Sequence, residues 1–236
     1  MRLFVTGDVH ADRDYRKIKK FRDTMKPSLT LDDYLVICGD FGVIWDGNEH
    51  DKYFKEQVYG DFPCTILWVD GNHENFDVLY TYPIESWMGG KVHRITDRIL
   101  HLMRGEIFTL PLGKDGTKIF AFGGAKSTDR GYDTGNNQGW WPLELPNQEE
   151  VDNALLNLSN NNSTVDYIFT HEGPQSVLRG LFGFERDFDV KFNYLLEKLA
   201  HTVDFKGCFF GHHHDDIRED KYHCIYNDIV NLDGKS

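Results

Sequence analysis

Five short apolar runs end in the same way, and that repetition constrains the chain more than any other feature. Asp8 and His10 follow LFVTG, Asp40 follows LVICG, and Asn72 and His73 follow ILWVDG. His171 follows DYIFT, and the run His212, His213, His214 follows CFFG. Each run has the length and residue types of a β-strand. Each closes on side chains of the kind that bind metals. In open α/β sheets the carboxyl ends of strands gather at one edge, where ligands bind. Segments far apart in sequence can therefore build one site.

The intervening stretches fit that arrangement. Tyr15, Ile18, Phe21 and Met25 recur at near-helical spacing after the first run. NEHDKYFKEQVYG reads as a second helix and NFDVLY as a short third one. Strand–helix alternation predicts an α/β fold with crossover connections. The second half is richer in strands, with KVHRI, RILHLM, EIFTLP and TKIFAFGG separated by turn residues. A helix is expected over NQEEVDNALLNL, with Asn147 as N-cap and Glu150 three residues later. FNYLLEKLA reads as another. No internal repeat or linker interrupts the pattern, so one domain over residues 1–236 is expected, with a rim or cap loop at 124–146.

Seven residues form the candidate metal set: Asp8, His10, Asp40, Asn72, His171, His212 and His214. In extended chain, residues i and i+2 point the same way. Asp8 and His10 are thus expected to converge, and His212 and His214 to share a face, leaving His213 a surface or packing role. The set mixes oxygen and imidazole donors and has no thiolate, which suits borderline divalent metals such as Mn, Fe, Zn, Ni or Co. It is too large for a single tetrahedral zinc. Two ions fit, with Asp40, alone at its strand end, as the bridge. Without cations such a cluster would leave buried charges costing several kcal/mol each. His50, His93, His101, His201, His213 and His223 show no partner pattern and read as structural or exposed. Glu74 reads as a helix-start residue or as support behind the ligands.

The blocks GDVH, GDFG, GNHE, THEG and GHHH, in this order between residues 7 and 214, resemble those of the calcineurin-like metallophosphoesterases. The resemblance implies a four-layer double β-sandwich flanked by helices, with a dimetal site at one edge. It implies that one ion takes Asp8, His10, Asp40 and His214, and the other Asp40, Asn72, His171 and His212. Manganese heads the candidate metals. In such sites two ions about 3.5–4 Å apart clamp the attacking and leaving oxygens, and a bridging hydroxide attacks phosphorus. The family histidine at His73 protonates the leaving group or holds a phosphoryl oxygen, so His73 is the expected general acid. Two departures stand out. The protein-phosphatase branch has an Asp where this chain has Val43 and an Arg where it has Asp70. A phosphoserine or phosphothreonine phosphatase of that branch is therefore not expected.

The stretch Gly123–Pro146 is similar to a segment in a bacterial and phage-like group of these esterases. One reading puts Lys126, Ser127, Asp129 and Arg130 at the cleft rim, with Arg130 and Asn72 as substrate-binding residues and Trp140 and Trp141 stacking on a base. The other makes the tryptophans anchors of the loop, and it is the favoured one. Gly180–Phe188 reads either as a flap with glycine hinges or as a loop between helices.

Composition narrows the partners. A net charge of −12 argues against unselective binding to nucleic acid or anionic lipid. It leaves phosphate substrates open, because bound cations reverse the local potential. The four cysteines lack C-x-x-C spacing and read as buried thiols in a reducing compartment. The first ten residues are not a signal peptide, and no segment is long enough to span a bilayer. A cytoplasmic phosphoesterase acting on a small monoester or diester is the leading expectation, with nucleotides among the candidate substrates. Its rivals are a non-catalytic protein-interaction scaffold on the same fold and a nuclease. The first would show broken ligand positions, and the second would want a basic groove.

Overall fold

The computed structural model describes residues 1–11, 13–127, 140–183 and 190–233. The first sheet contains β1 (Leu3–Gly7), β2 (Tyr34–Cys38), β3 (Thr65–Val69), β4 (Ile84–Trp87), β5 (Gly90–Arg94) and β6 (Ile99–Leu102). The second contains β7 (Glu106–Leu110), β8 (Thr117–Phe122), β9 (Tyr167–Thr170), β10 (Gly207–Phe210), β11 (Ile217–Glu219) and β12 (Tyr222–Cys224). The last strand, β13 (Val230–Asn231), returns to the first sheet, whose order is β13-β1-β2-β3-β6-β5-β4. The second runs β11-β12-β10-β9-β8-β7.

The two sheets pack face to face and helices cover their outer faces. Along β2, Tyr34, Val36 and Cys38 point into the inter-sheet core, while Leu35 and Ile37 point to the helical side. Both faces of the strand are buried, so it reads as an unbroken apolar run. The inter-sheet core sets Val5, Val36 and Leu67 among Phe108, Ile119, Phe169 and Phe209. Helices α1 (Tyr15–Met25), α2 (Glu49–Tyr53), which continues as a π turn through Val58, and α3 (Phe76–Leu79) cover the first sheet through Ile18, Phe54 and Phe76. Helices α4 (Gln148–Asn160), α5 (Gln175–Phe182) and α6 (Val190–Thr202) cover the second through Ala154, Leu178 and Leu196. This is the expected double sandwich between helical layers.

Strands β1, β2, β3 and β6 run parallel, as do β8, β9, β10 and β12. Their carboxyl ends therefore open onto a common edge. Asn147 caps α4, accepting from the Glu150 backbone while the Glu150 side chain reaches back, as expected. One expectation changes. Gly180 is helical rather than a hinge, because α5 runs through Phe182 and stops at Gly183, whose φ of 70° suits glycine. Residues 184–189 lie outside the described residues. All four cysteines are buried and unpaired. Among the described residues no helix is long and apolar enough to cross a membrane.

Candidate metal centre

The residues that follow β1, β2, β3, β9 and β10 meet at one edge, and the backbone is bent hard to bring them there. Asp8, His10, Asp40, His212 and His214 all have positive φ, from 34° to 67°. Non-glycine residues pay for that region, and such strain gathers at functional sites. Convergence thus does not follow the extended-chain rule expected from sequence. Left-handed turns, braced by backbone bonds from Val9 and His10 N–H to the Asp40 carbonyl, turn the side chains inward. Glycines make the room. A Cβ on Gly39 would run into the His171 imidazole, and one on Gly71 into the Asp40 carboxylate.

Asp8 is fully buried, and its carboxylate accepts the His212 backbone N–H at 3.0 Å. His214 Nε2 lies 3.5 Å from Asp8 Oδ1 and 3.0 Å from His10 Nε2. The His214 ring stacks on Tyr226 with centroids 4.7 Å apart. Beneath this group sits Lys17, which sequence reasoning missed. Its ammonium donates to the carbonyls of Gly7, Asp8 and Tyr226. Burial lowers it to about 8, although Asp8 opposes the shift.

Asp40 lies between the two halves of the cluster. Its Oδ2 is 3.8 Å from His10 Nε2 and 3.4 Å from His171 Nε2, and its Oδ1 accepts the His73 backbone N–H at 2.8 Å. His171 Nδ1 donates to the Cys38 carbonyl at 2.7 Å, which leaves Nε2 facing Asn72 Oδ1 at 3.2 Å and Asp40. Without a cation, burial alone would lower His171, but the Asp40 carboxylate outweighs it and raises the ring to about 10. Behind Asp40, Glu74 accepts the Phe41 N–H at 3.0 Å. Burial, then the Asp40 charge, push Glu74 well above the carboxylate range. Glu74 thus braces the loop that follows Asp40.

His212 and His214 do not share a face. His212 sits 5.0 Å from the His171 ring, whereas His214 joins His10 and Asp8. Burial lowers His212 to about 4. His213 takes the packing side of its expected roles. It is buried, contacts Phe182 and Phe210, and bonds Glu172 Oε1 at 2.7 Å. His213→Ala should therefore cost about 1–3 kcal/mol, the price of a buried acceptor left short of a partner. Metal content by elemental analysis should stay unchanged; loss of an ion would place His213 in the ligand shell.

The imidazole of His73 is half-buried, 5.6 Å from the His10 ring and 6.1 Å from Trp45, and it makes no hydrogen bond among the described residues. Val43 is packed in the core, and the Asp70 carboxylate turns away to Arg104 and His101. Trp141 is an anchor: it is buried, donates to Asp77 at 2.9 Å and meets Trp45 edge-on. Trp140 is half-buried. Ser127 is buried rather than at an open rim, with its N–H on Glu144. Thr128–Gly139, including Asp129 and Arg130, lie outside the described residues.

The sequence pattern described as calcineurin-like phosphoesterase matches residues 1–216. The chain belongs to the calcineurin-like phosphoesterase family. No curated protein matches it as a relative. Calcineurin-like phosphoesterases are mostly hydrolases that use divalent metals to cleave small phosphate esters, and the donor chemistry of this member fits such ions. Asp8, His10 and His214 form one group with ligand atoms within 4.8 Å of one another, and Asp8, Asp40 and His171 form a second. In the neutral ring His171 Nε2 is an acceptor facing two acceptor oxygens. A cation satisfies all three.

Proposed function

We propose that this calcineurin-like phosphoesterase hydrolyses a small or exposed phosphate monoester or diester, with nucleotides among the candidates, using two divalent cations, manganese first among them. One ion would be held by Asp8, His10, Asp40 and His214, and the other by Asp40, Asn72, His171 and His212, with Asp40 shared. The observation that carries this reading is the placement of Asp40 Oδ2 between His10 and His171, one from each half of the cluster. When bound, such cations acidify water and neutralise charge growing on the phosphoryl oxygens. The chain's own residues set the geometry. The Cys38 carbonyl fixes the His171 tautomer, and Lys17 ties the Asp8 loop to the carbonyl of Tyr226. Asp40 Oδ1 anchors the backbone of His73, whose imidazole, unbonded among the described residues, would give a proton to the leaving oxygen. An acidic chain and a cluster at a sheet edge favour a compact substrate over duplex nucleic acid.

Purified protein supplied with manganese should hydrolyse members of a panel made of p-nitrophenyl phosphate, bis-p-nitrophenyl phosphate and cyclic and linear nucleotides. Chelator should abolish the activity. No turnover with any of Mn, Fe, Zn, Ni or Co would sink the proposal and favour a scaffold. His73→Ala should lower kcat by about 10²–10⁴-fold, the usual worth of a positioned acid. The loss should be largest for poor leaving groups, with metal content kept. Equal loss across leaving groups would remove His73 from proton transfer.

A further inference from the structure

A cavity of about 470 Å³ opens between the β4–β6 edge of the first sheet and the start of α4. That size lies within the usual small-molecule range of about 300–1,000 Å³. None of the seven candidate metal ligands lines it. Its distinctive wall is a chain of side chains running from Asp70 through His101 to His93. His101 Nε2 lies 3.0 Å from Asp70 Oδ1, and His101 Nδ1 lies 2.9 Å from His93 Nδ1.

The carboxylate fixes the His101 proton on Nε2, and a neutral His101 in turn fixes the His93 tautomer. Asp70 can only accept, so His101 must carry its proton on Nε2. A neutral His101 then accepts at Nδ1, and His93 must donate from its own Nδ1. That leaves His93 Nε2 as a bare acceptor. Burial, then the neighbouring His101, lower His93 to about 4, so its ring stays neutral at physiological pH. His93 is 3% exposed and its ring borders the cavity, and among the described residues only His101 bonds it, through Nδ1. An acceptor on the wall of a cavity can take a donor from a molecule held there.

The charges around it select the donor's sign. Glu106 spends its oxygens on neutral donors, the Lys91 backbone N–H at 3.2 Å and the Asn153 amide at 3.1 Å. Glu149 is exposed and in no ion pair among the described residues. The Arg104 cation is already used by Asp70 and Glu150. Among the described residues that line the cavity, Lys91 is the one cation left to oppose the charges of Glu106 and Glu149. A phosphate would be repelled, so this is no extension of the substrate site.

We propose that this cavity binds a small organic cation bearing N–H donors, an amine or guanidinium, held by His93 Nε2 and the carboxylates of Glu106 and Glu149. The proposal is independent of the phosphoesterase reading. Isothermal titration of the full chain with agmatine, which carries both groups, tests it, with butyrate as the anionic control. Saturable one-site binding of agmatine and none of butyrate are expected. Glu149→Gln and His93→Leu should each weaken it about tenfold or more, the worth of one charge-assisted hydrogen bond. Glu149 is exposed, so its variant keeps the test sound even where His93→Leu fails to fold. Long-range proton–nitrogen NMR should place the His93 proton on Nδ1. The proposal is overturned by no saturable binding at agmatine concentrations on the order of 10 mM, by equal binding of butyrate, by unchanged affinity in Glu149→Gln, or by a proton on His93 Nε2.

Discussion

Arg104→Ala is expected to cost about 3–5 kcal/mol of folding stability, the range for breaking one side of a buried ion pair. The guanidinium side chain is 2% exposed and all three of its nitrogens donate. Nε donates to Asp70 Oδ2 at 2.9 Å, and Nη2 shares the same carboxylate. Nη1 reaches Glu150 at 3.1 Å, and Nη2 also reaches the carbonyls of Leu143 and Glu144. One side chain thus ties the loop before Asn72, the segment leading into α4 and the cap of α4 itself. Truncation would leave Asp70, 1% exposed, beside His101 without its main counter-charge. Arg104→Lys should recover only part of the loss, because an ammonium cannot reproduce the fork. Urea denaturation reads both.

Acid should expose the same contact. Burial alone would raise Asp70, but Arg104 and then His101 hold it well below the carboxylate range. Glu172 is likewise held at about 2, against burial, by His212 and His213. For a depressed carboxylate the stabilisation is complete above its unfolded pKa, about 4, and is lost as pH falls through the native value. Wild-type stability should therefore drop below about pH 4, and Arg104→Ala should show a shallower drop there. An Arg104→Ala midpoint matching wild type at neutral pH would show that Asp70 does not depend on the arginine.

Legibility from sequence followed burial. Strands β1, β2, β3, β9 and β10 announced themselves because both their faces are covered, so every residue had to be apolar. The Asn147–Glu150 box was readable because both partners lie within one turn. Strand β4 was not seen: it is an edge strand whose Ile84 is exposed, and IESW carries no apolar run. Helix α5 was hidden by its shortness and by Gly180 inside it. The ligand residue types were visible, yet their directions were not. The i, i+2 rule assumes extended chain, and the positive φ of His212 and His214 sends them to opposite halves of the cluster. Partnerships between distant elements left no trace. Lys17 is one polar residue on a polar helix until Gly7, Asp8 and Tyr226 bring their carbonyls to it. His93 and His101 read as unrelated until β5 and β6 pair them in register.

Asp40→Asn should be the most damaging substitution in the candidate centre. Asparagine keeps the size of the side chain and can still accept the His73 N–H through Oδ1, so the fold should survive. What changes is the group in the place of Oδ2. A carboxylate oxygen 3.8 Å from His10 Nε2 and 3.4 Å from His171 Nε2 becomes an amide NH₂, a donor aimed at two imidazoles. It can no longer share a cation, and it competes for the lone pairs that would hold one. Both halves of the cluster should therefore lose metal together, and turnover at fixed manganese should fall at least about 100-fold, since removing even partners behind a ligand costs 10–100-fold. A variant of a residue confined to one half, such as Asn72→Ala, should spare the Asp8–His10–His214 group. Elemental analysis after desalting separates the cases. Loss of a single ion in Asp40→Asn would confine Asp40 to one half, and unchanged stoichiometry would remove it from the ligand set.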